Sequence, residues 1–160
     1  MRVMIAGIGR MKAGADRQLL ERYLERARKA GRAMGFSGPD LVELPESRAQ
    51  RAAERKQAEA ENLLAALPAP RVLVALDEGG RTLPSEKFAD RIGRWRDEGA
   101  GALVFAIGGA DGHGRALLDA ADMTLAFGPM TWPHQLVRIM MAEQIYRAIS
   151  ILSGHPYHRA

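Results

Sequence analysis

The sequence predicts an α/β fold, a parallel sheet covered by helices, on three observations. Short apolar runs alternate with amphipathic stretches along the whole chain. Two of those runs, RVLVAL at 71–76 and ALVFAI at 102–107, are continuously apolar and bounded by turn residues, as strands buried on both faces are. The connections between runs are long enough for crossover helices.

The elements follow in order. Residues 2–8 (RVMIAGI) read as a first strand, and a long basic helix is expected over 15–34. A short strand at 40–44 is set off by Gly38-Pro39 and Pro45. Residues 46–67, rich in Ala, Glu, Arg and Gln, form a strong helix that must stop before Pro68. After the strand at 71–76, Ser85 can cap a helix over 86–98 that Gly99 ends. The strand at 102–107 leads through a glycine-rich turn to a short helix near 115–121, a strand at 123–127 and a final helix over 133–152.

At 160 residues the chain fits one domain, 1–160, at roughly 100–200 residues per domain. No repeat, low-complexity segment or long linker divides it. There is no cysteine, which excludes disulfides, thiolate metal sites and a cysteine nucleophile, and agrees with a reducing compartment. No run of 18 apolar residues and no signal-peptide pattern is present, so a soluble, cytoplasmic protein without membrane contact is expected. The formal net charge is only +4, but residues 10–32 hold eight cations against three acids. That concentration suits a phosphate-backbone footprint, and also a solvated helix face.

Several nucleotide motifs fail. Gly7-Ile8-Gly9 follows the first strand, but Lys12 stands where a dinucleotide fingerprint needs its third glycine, and no phosphate-loop motif occurs. The second glycine cluster, Gly108-Gly109-Ala110-Asp111-Gly112-His113-Gly114, lies between a buried strand and a helix. Ligands of open α/β sheets bind at the carboxyl ends of strands, so this turn is well placed, and Asp77 emerges at the same edge if its strand is parallel. The run Gly128-Pro129-Met130-Thr131-Trp132-Pro133 is stiff enough to hold backbone groups around a flat ring, or to be a rigid connector.

The final helix places Val137, Met141, Ala142, Ile145, Ala148, Ile149 and Leu152 in one apolar arc with Arg138 inside it. A charge in such an arc must reach the edge or meet an anion or carbonyl. Leu136, Ile139, Met140, Tyr146 and Ile151 make other faces apolar too, which a homodimer contact or a larger core would cover. The tail crowds His155, Tyr157, His158 and Arg159 into five residues. A histidine metal site lacks a third ligand with supporting spacing, so no metal is expected.

The segments AIGGADG at 106–112, TWPHQLVR at 131–138 continuing through MAEQIYR at 141–147, and HPYHR at 155–159 together resemble the RlmH family. These are SPOUT-class bacterial methyltransferases of large-subunit ribosomal RNA. The resemblance spans nearly the whole chain and implies a parallel-sheet SPOUT fold with a C-terminal deep trefoil knot. It implies S-adenosylmethionine (SAM) as donor, held through Leu76, Gly108, Gly109, Gly128, Pro129, Met130, Thr131, Trp132 and Pro133. It further implies methylation of N3 of a pseudouridine in 23S rRNA, on the large subunit or assembled ribosome. The family acts as homodimers, with the last helix in the interface and the tail completing the active site. Arg138, Tyr157, His158 and Arg159 are then the candidate catalytic residues. The chain departs from the family pattern at Ala110 and Asp111, where Pro-Glu is frequent, and at Trp132, where a leucine-like residue is. A competing reading is a non-catalytic RNA- or ribosome-binding module in which the glycine turns are only turns.

Overall fold

In a computed structural model, which describes residues 1–158, alternation along each strand sorts side chains onto two helical layers. Val3 and Ile5 of β1 (Arg2–Ile8), with Leu103 and Phe105 of β4 (Ala102–Ile107), face one side. There they pack on α1 (Ala15–Gly31), α3 (Ser85–Asp97) and α5 (His134–Leu152). Met4, Ala6 and Ile8, with Val104 and Ala106, face the other side, where Leu63 of α2 (Ala52–Ala66) and Leu117 of α4 (Arg115–Ala120) cover them. Burial of both sheet faces is what the continuous apolar runs require.

The strands lie in the order β2-β1-β4-β3-β5, where β2 is Ser37–Leu44, β3 Val72–Arg81 and β5 Met123–Leu125. Every pair is parallel. The segments following all five strands therefore gather along one edge of the sheet.

Several boundaries differ from expectation, β5 for one ending at Leu125 rather than 127, and four of them have a local reason. β2 begins three residues early, because Gly38 carries the chain past Val3 at φ +85° in a register irregularity that a side chain would block, its Cβ lying 2.3 Å from the Val3 carbonyl oxygen. α2 begins at Ala52 rather than 46, since residues 46–51 are held non-helical by side chains of α2 itself. β3 runs on to Arg81, which pairs with Leu125 after a register shift, although Asp77-Glu78-Gly79-Gly80 reads as a turn. Ser85 is the first residue of α3 rather than its cap, and its hydroxyl donates to Gln144 of α5 at 2.9 Å. The long basic helix also closes in a short 3₁₀ turn at Arg32–Met34.

Candidate donor site and carboxy-terminal tail

A cavity of about 390 Å³ opens over the carboxyl ends of β3, β4 and β5. β3 contributes Leu76, Asp77 and Glu78; the turn after β4 contributes Gly108 to His113; the segment after β5 contributes Gly128, Met130, Thr131 and Trp132. Val137 and His134 close it from the first turns of α5, and Lys56 from α2. Leu76, Ile107, Leu125, Ala126 and Val137 supply apolar wall, while the glycines leave main-chain groups bare. Seven of the nine expected donor-binding residues line this cavity; Pro129 and Pro133 do not.

The glycine turn is tightly closed. Gly112 N–H donates to the Gly109 carbonyl at 3.1 Å, and a Cβ on Gly108 would lie 2.8 Å from the Gly112 carbonyl carbon. Arg55 fixes the turn from outside, its Nε 2.7 Å from Asp111 Oδ2. On the opposite rim Thr131 Oγ1 donates to Glu78 Oε2 at 3.1 Å. Met130 and Trp132 are 68% and 40% exposed beside the mouth, and Leu136 is 39% exposed in the first turn of α5, so the rim is apolar and uncovered.

His113, which no expected role singles out, is buried in the cavity wall with Nε2 3.2 Å from the Ala106 carbonyl. A carbonyl only accepts, so Nε2 carries the proton in the neutral ring. Burial pushes the imidazole below the ordinary histidine range, against the opposing pull of the Ala106 carbonyl, Asp77 and the Leu76 carbonyl. Its position in a glycine cluster was the available signal.

Arg138 is fully buried and does not line the cavity. It meets both an anion and a carbonyl: Nη1 donates to Glu43 and Nη2 to the Ile8 carbonyl at the end of β1. Gly7 makes room for it, since a Cβ there would lie 2.8 Å from Arg138 Nε. This candidate catalytic residue is thus seated under the sheet edge, tying α5 to β1 and β2.

Tyr157 and His158 fold back on α5 and α3 and do not line the cavity of their own chain. Tyr157 OH donates to Glu143 Oε1 at 3.1 Å and its ring stacks at a tilt on Tyr146, centroids 4.5 Å apart. His158 sits between Arg147, 3.4 Å from Nδ1, and Glu86, 3.4 Å from Nε2. Arginine only donates, so Nδ1 accepts and Nε2 is the protonated nitrogen. Desolvation raises the Tyr157 phenol well above its ordinary range, with its bonds to Tyr23 and Glu143 acting the same way. The phenol accordingly holds its proton toward Glu143. Arg159 lies outside the described residues.

The cations of 10–32 do not form one surface. Arg10 and Lys12 stand at the carboxyl edge, but α1 runs away from it, and Arg28 Nε reaches the Pro39 carbonyl near the start of β2. Among the described residues no group of three or more His, Asp or Glu could hold a metal ion, and no helix is long and apolar enough to cross a membrane.

Comparison with known proteins adds a family. Residues 1–158 match the family described as "Predicted SPOUT methyltransferase". The chain is 56% identical over 160 residues to the ribosomal RNA large subunit methyltransferase H of Xanthobacter autotrophicus, covering all of both chains. It is 57% identical over 160 residues, again covering both completely, to the protein of the same name from Beijerinckia indica. Among solved structures it resembles the SpoU methyltransferase AviRb of Streptomyces viridochromogenes, in complex with AdoMet, at 14% identity and a TM-score of 0.38, over 92% of this chain and 57% of that one.

Proposed function

The chain belongs to the SPOUT methyltransferase family, among the ribosomal RNA large subunit methyltransferase H proteins, and on that premise we propose that it methylates N3 of a pseudouridine in 23S rRNA, with SAM as donor. The observation that carries this reading is the cavity over β3, β4 and β5, walled by main chain of the glycine turn and of the segment after β5, by apolar side chains and by a few polar groups. Such a site suits an adenine ring, a ribose and a short amino-acid arm, with Asp77 and Glu78 available to hydroxyl and ammonium groups. Leu76, Gly108, Gly109, Gly128 and the run Pro129 to Pro133 would hold the donor, the two prolines by stiffening the run rather than by contact. By its membership of this family we propose a C-terminal deep trefoil knot in one domain spanning 1–160.

Bound there, SAM supplies a methyl group on a sulfonium whose leaving group is a neutral thioether. The protein's first task is alignment, since holding an acceptor nitrogen in line replaces a bimolecular encounter. Its second is the N3 proton, which must leave as the nitrogen attacks. His158 is the base, Tyr157 donates a hydrogen bond, and Arg159 meets the negative charge that gathers on the ring oxygens. Arg138 acts at one remove by fixing the start of α5, which carries His134 and Val137 to the cavity.

Because Tyr157 and His158 rest apart from the cavity of their own chain, the site is completed in a homodimer packed through α5, and the exposed Trp132, Met130 and Leu136 favour such a cover. The substrate is the large subunit or assembled ribosome, and the enzyme acts in the cytoplasm. Calorimetric titration with SAM, followed by labelled methyl transfer to ribosomes lacking the modification and mapping of the base, tests the proposal. Heat with transfer to a pseudouridine N3 is expected. Absence of heat would leave only an RNA-binding module.

A further inference from the structure

The five loops at the carboxyl edge divide into two territories. The donor cavity occupies the loops of β4, β3 and β5, and the loops of β1 and β2 lie beside it on the other half of the sheet. On that second half Arg10 and Lys12 come from the loop after β1, and Arg48 and Arg51 from the loop after β2, all four exposed. The two loops touch, for a Cβ on Gly9 would lie 2.8 Å from Glu46 Oε1. Among the described residues Arg10, Lys12 and Arg48 enter no ion pair, and Arg51 only a loose one with Glu54 at 3.6 Å between exposed side chains.

We propose that these two loops form a phosphate-binding ledge for the ribosomal RNA substrate, built from Arg10, Lys12, Arg48 and Arg51 and held in register with the donor cavity by Arg55. The RNA in this statement rests on the methyltransferase reading; the ledge itself rests on the following geometry. Residues 46–51 have no regular hydrogen bonding, yet they are fixed. Ser47 N–H donates to the buried carboxylate of Glu59 at 2.8 Å, and Arg55 Nη1 donates to the carbonyls of Ala49 and Gln50 at 3.1 and 2.8 Å. The same Arg55 guanidinium binds Asp111 in the donor turn at 2.7 Å. One side chain thus sets the distance between the cationic loop and the cavity wall.

The charge fits the partner. A nucleic-acid backbone binds exposed cations by releasing condensed counterions, and these four cations stand on the same carboxyl edge as the cavity that an acceptor base must reach. Arg17, at the near end of α1, is already paired with Glu21 and Glu43. Lys29 and Arg32 lie at the far end of the helix, toward the opposite edge of the sheet.

The test is affinity for large ribosomal subunits lacking the modification, measured without SAM across a salt series. Wild type is compared with Arg10→Gln/Lys12→Gln/Arg48→Gln/Arg51→Gln, with Arg48→Gln/Arg51→Gln, and with Lys29→Gln/Arg32→Gln. At about 0.7–0.9 per phosphate contact, the fourfold variant should lower the slope of log K against log salt by about 3, and the Arg48/Arg51 pair by roughly half of that. The Lys29/Arg32 variant should keep the wild-type slope, and SAM affinity should be unchanged in all three. A wild-type slope in the fourfold variant, or an equal loss in the Lys29/Arg32 variant, overturns the ledge. Wild-type protein that binds subunits with this salt dependence but transfers no methyl overturns the methyltransferase reading and leaves the ledge standing.

Discussion

Arg138 Nη1 donates to Glu43 Oε1 at 2.9 Å across 95 residues of sequence, joining the last helix to the second strand. Glu43 also accepts from Met11 N–H at 2.9 Å and from Arg17 Nη1 at 2.8 Å. Burial alone would raise this carboxyl, but the Met11 amide, Arg17 and Arg138 together outweigh it and hold Glu43 below its ordinary range. Glu43→Ala should cost about 3–5 kcal/mol in urea unfolding, because it strands a buried guanidinium. Glu43→Leu combined with Arg138→Met should recover most of that loss. Since the folded value is depressed, the stabilisation is complete above the usual carboxylate range and fades as pH falls through it and below.

Gly108→Ala places a Cβ within 2.8 Å of the Gly112 carbonyl carbon, a backbone atom that cannot swing aside. The turn must open, and SAM affinity should fall at least about tenfold, or about 1.4 kcal/mol. Calorimetry measures it, with far-UV circular dichroism confirming that the fold persists. Unchanged affinity would place the donor elsewhere.

The tail makes a kinetic signature. His158→Ala should lower kcat by about 10²–10⁴ while SAM affinity stays at wild type, the pattern of a lost general base. Tyr157→Phe should cost less, because a phenol that remains protonated contributes a hydrogen bond and no proton uptake. Wild-type turnover in His158→Ala would remove it from the chemistry.

His113 is buried and depressed, so its neutral ring stabilises the fold fully above the unfolded value near 6.5 and progressively less as pH falls below it. His113→Gln, which can keep a donor toward Ala106, should show a smaller loss of urea midpoint between about pH 6.5 and 5 than wild type. Parallel midpoint curves would show that His113 titrates alike in the folded and unfolded chain, with no depression by burial.

The periodicity of the sequence was enough for the parallel α/β class, since a strand buried on both faces has to be apolar at every position, as 102–107 is. The two glycine and proline runs that line the cavity were also legible, because backbone that must lie bare carries a compositional mark. The start of α2 was not, since helix propensity favoured 46–51 and lost to hydrogen bonds from Glu59 and Arg55. The fate of Arg138 was half legible. Its apolar arc demanded a partner, but nothing local named Glu43.

Pattern along the chain thus determined which segments become strands and helices and which turns leave their main chain open. Only the tertiary structure decided which charges meet. It split the cations of 10–32 between opposite edges of the sheet, set the loop of Arg10 and Lys12 against the loop that carries Arg48, and drew Arg138 under β1. The reason is physical: secondary structure answers to neighbours a few residues away, whereas the energy of an ion depends on burial and on partners that strand order alone makes adjacent.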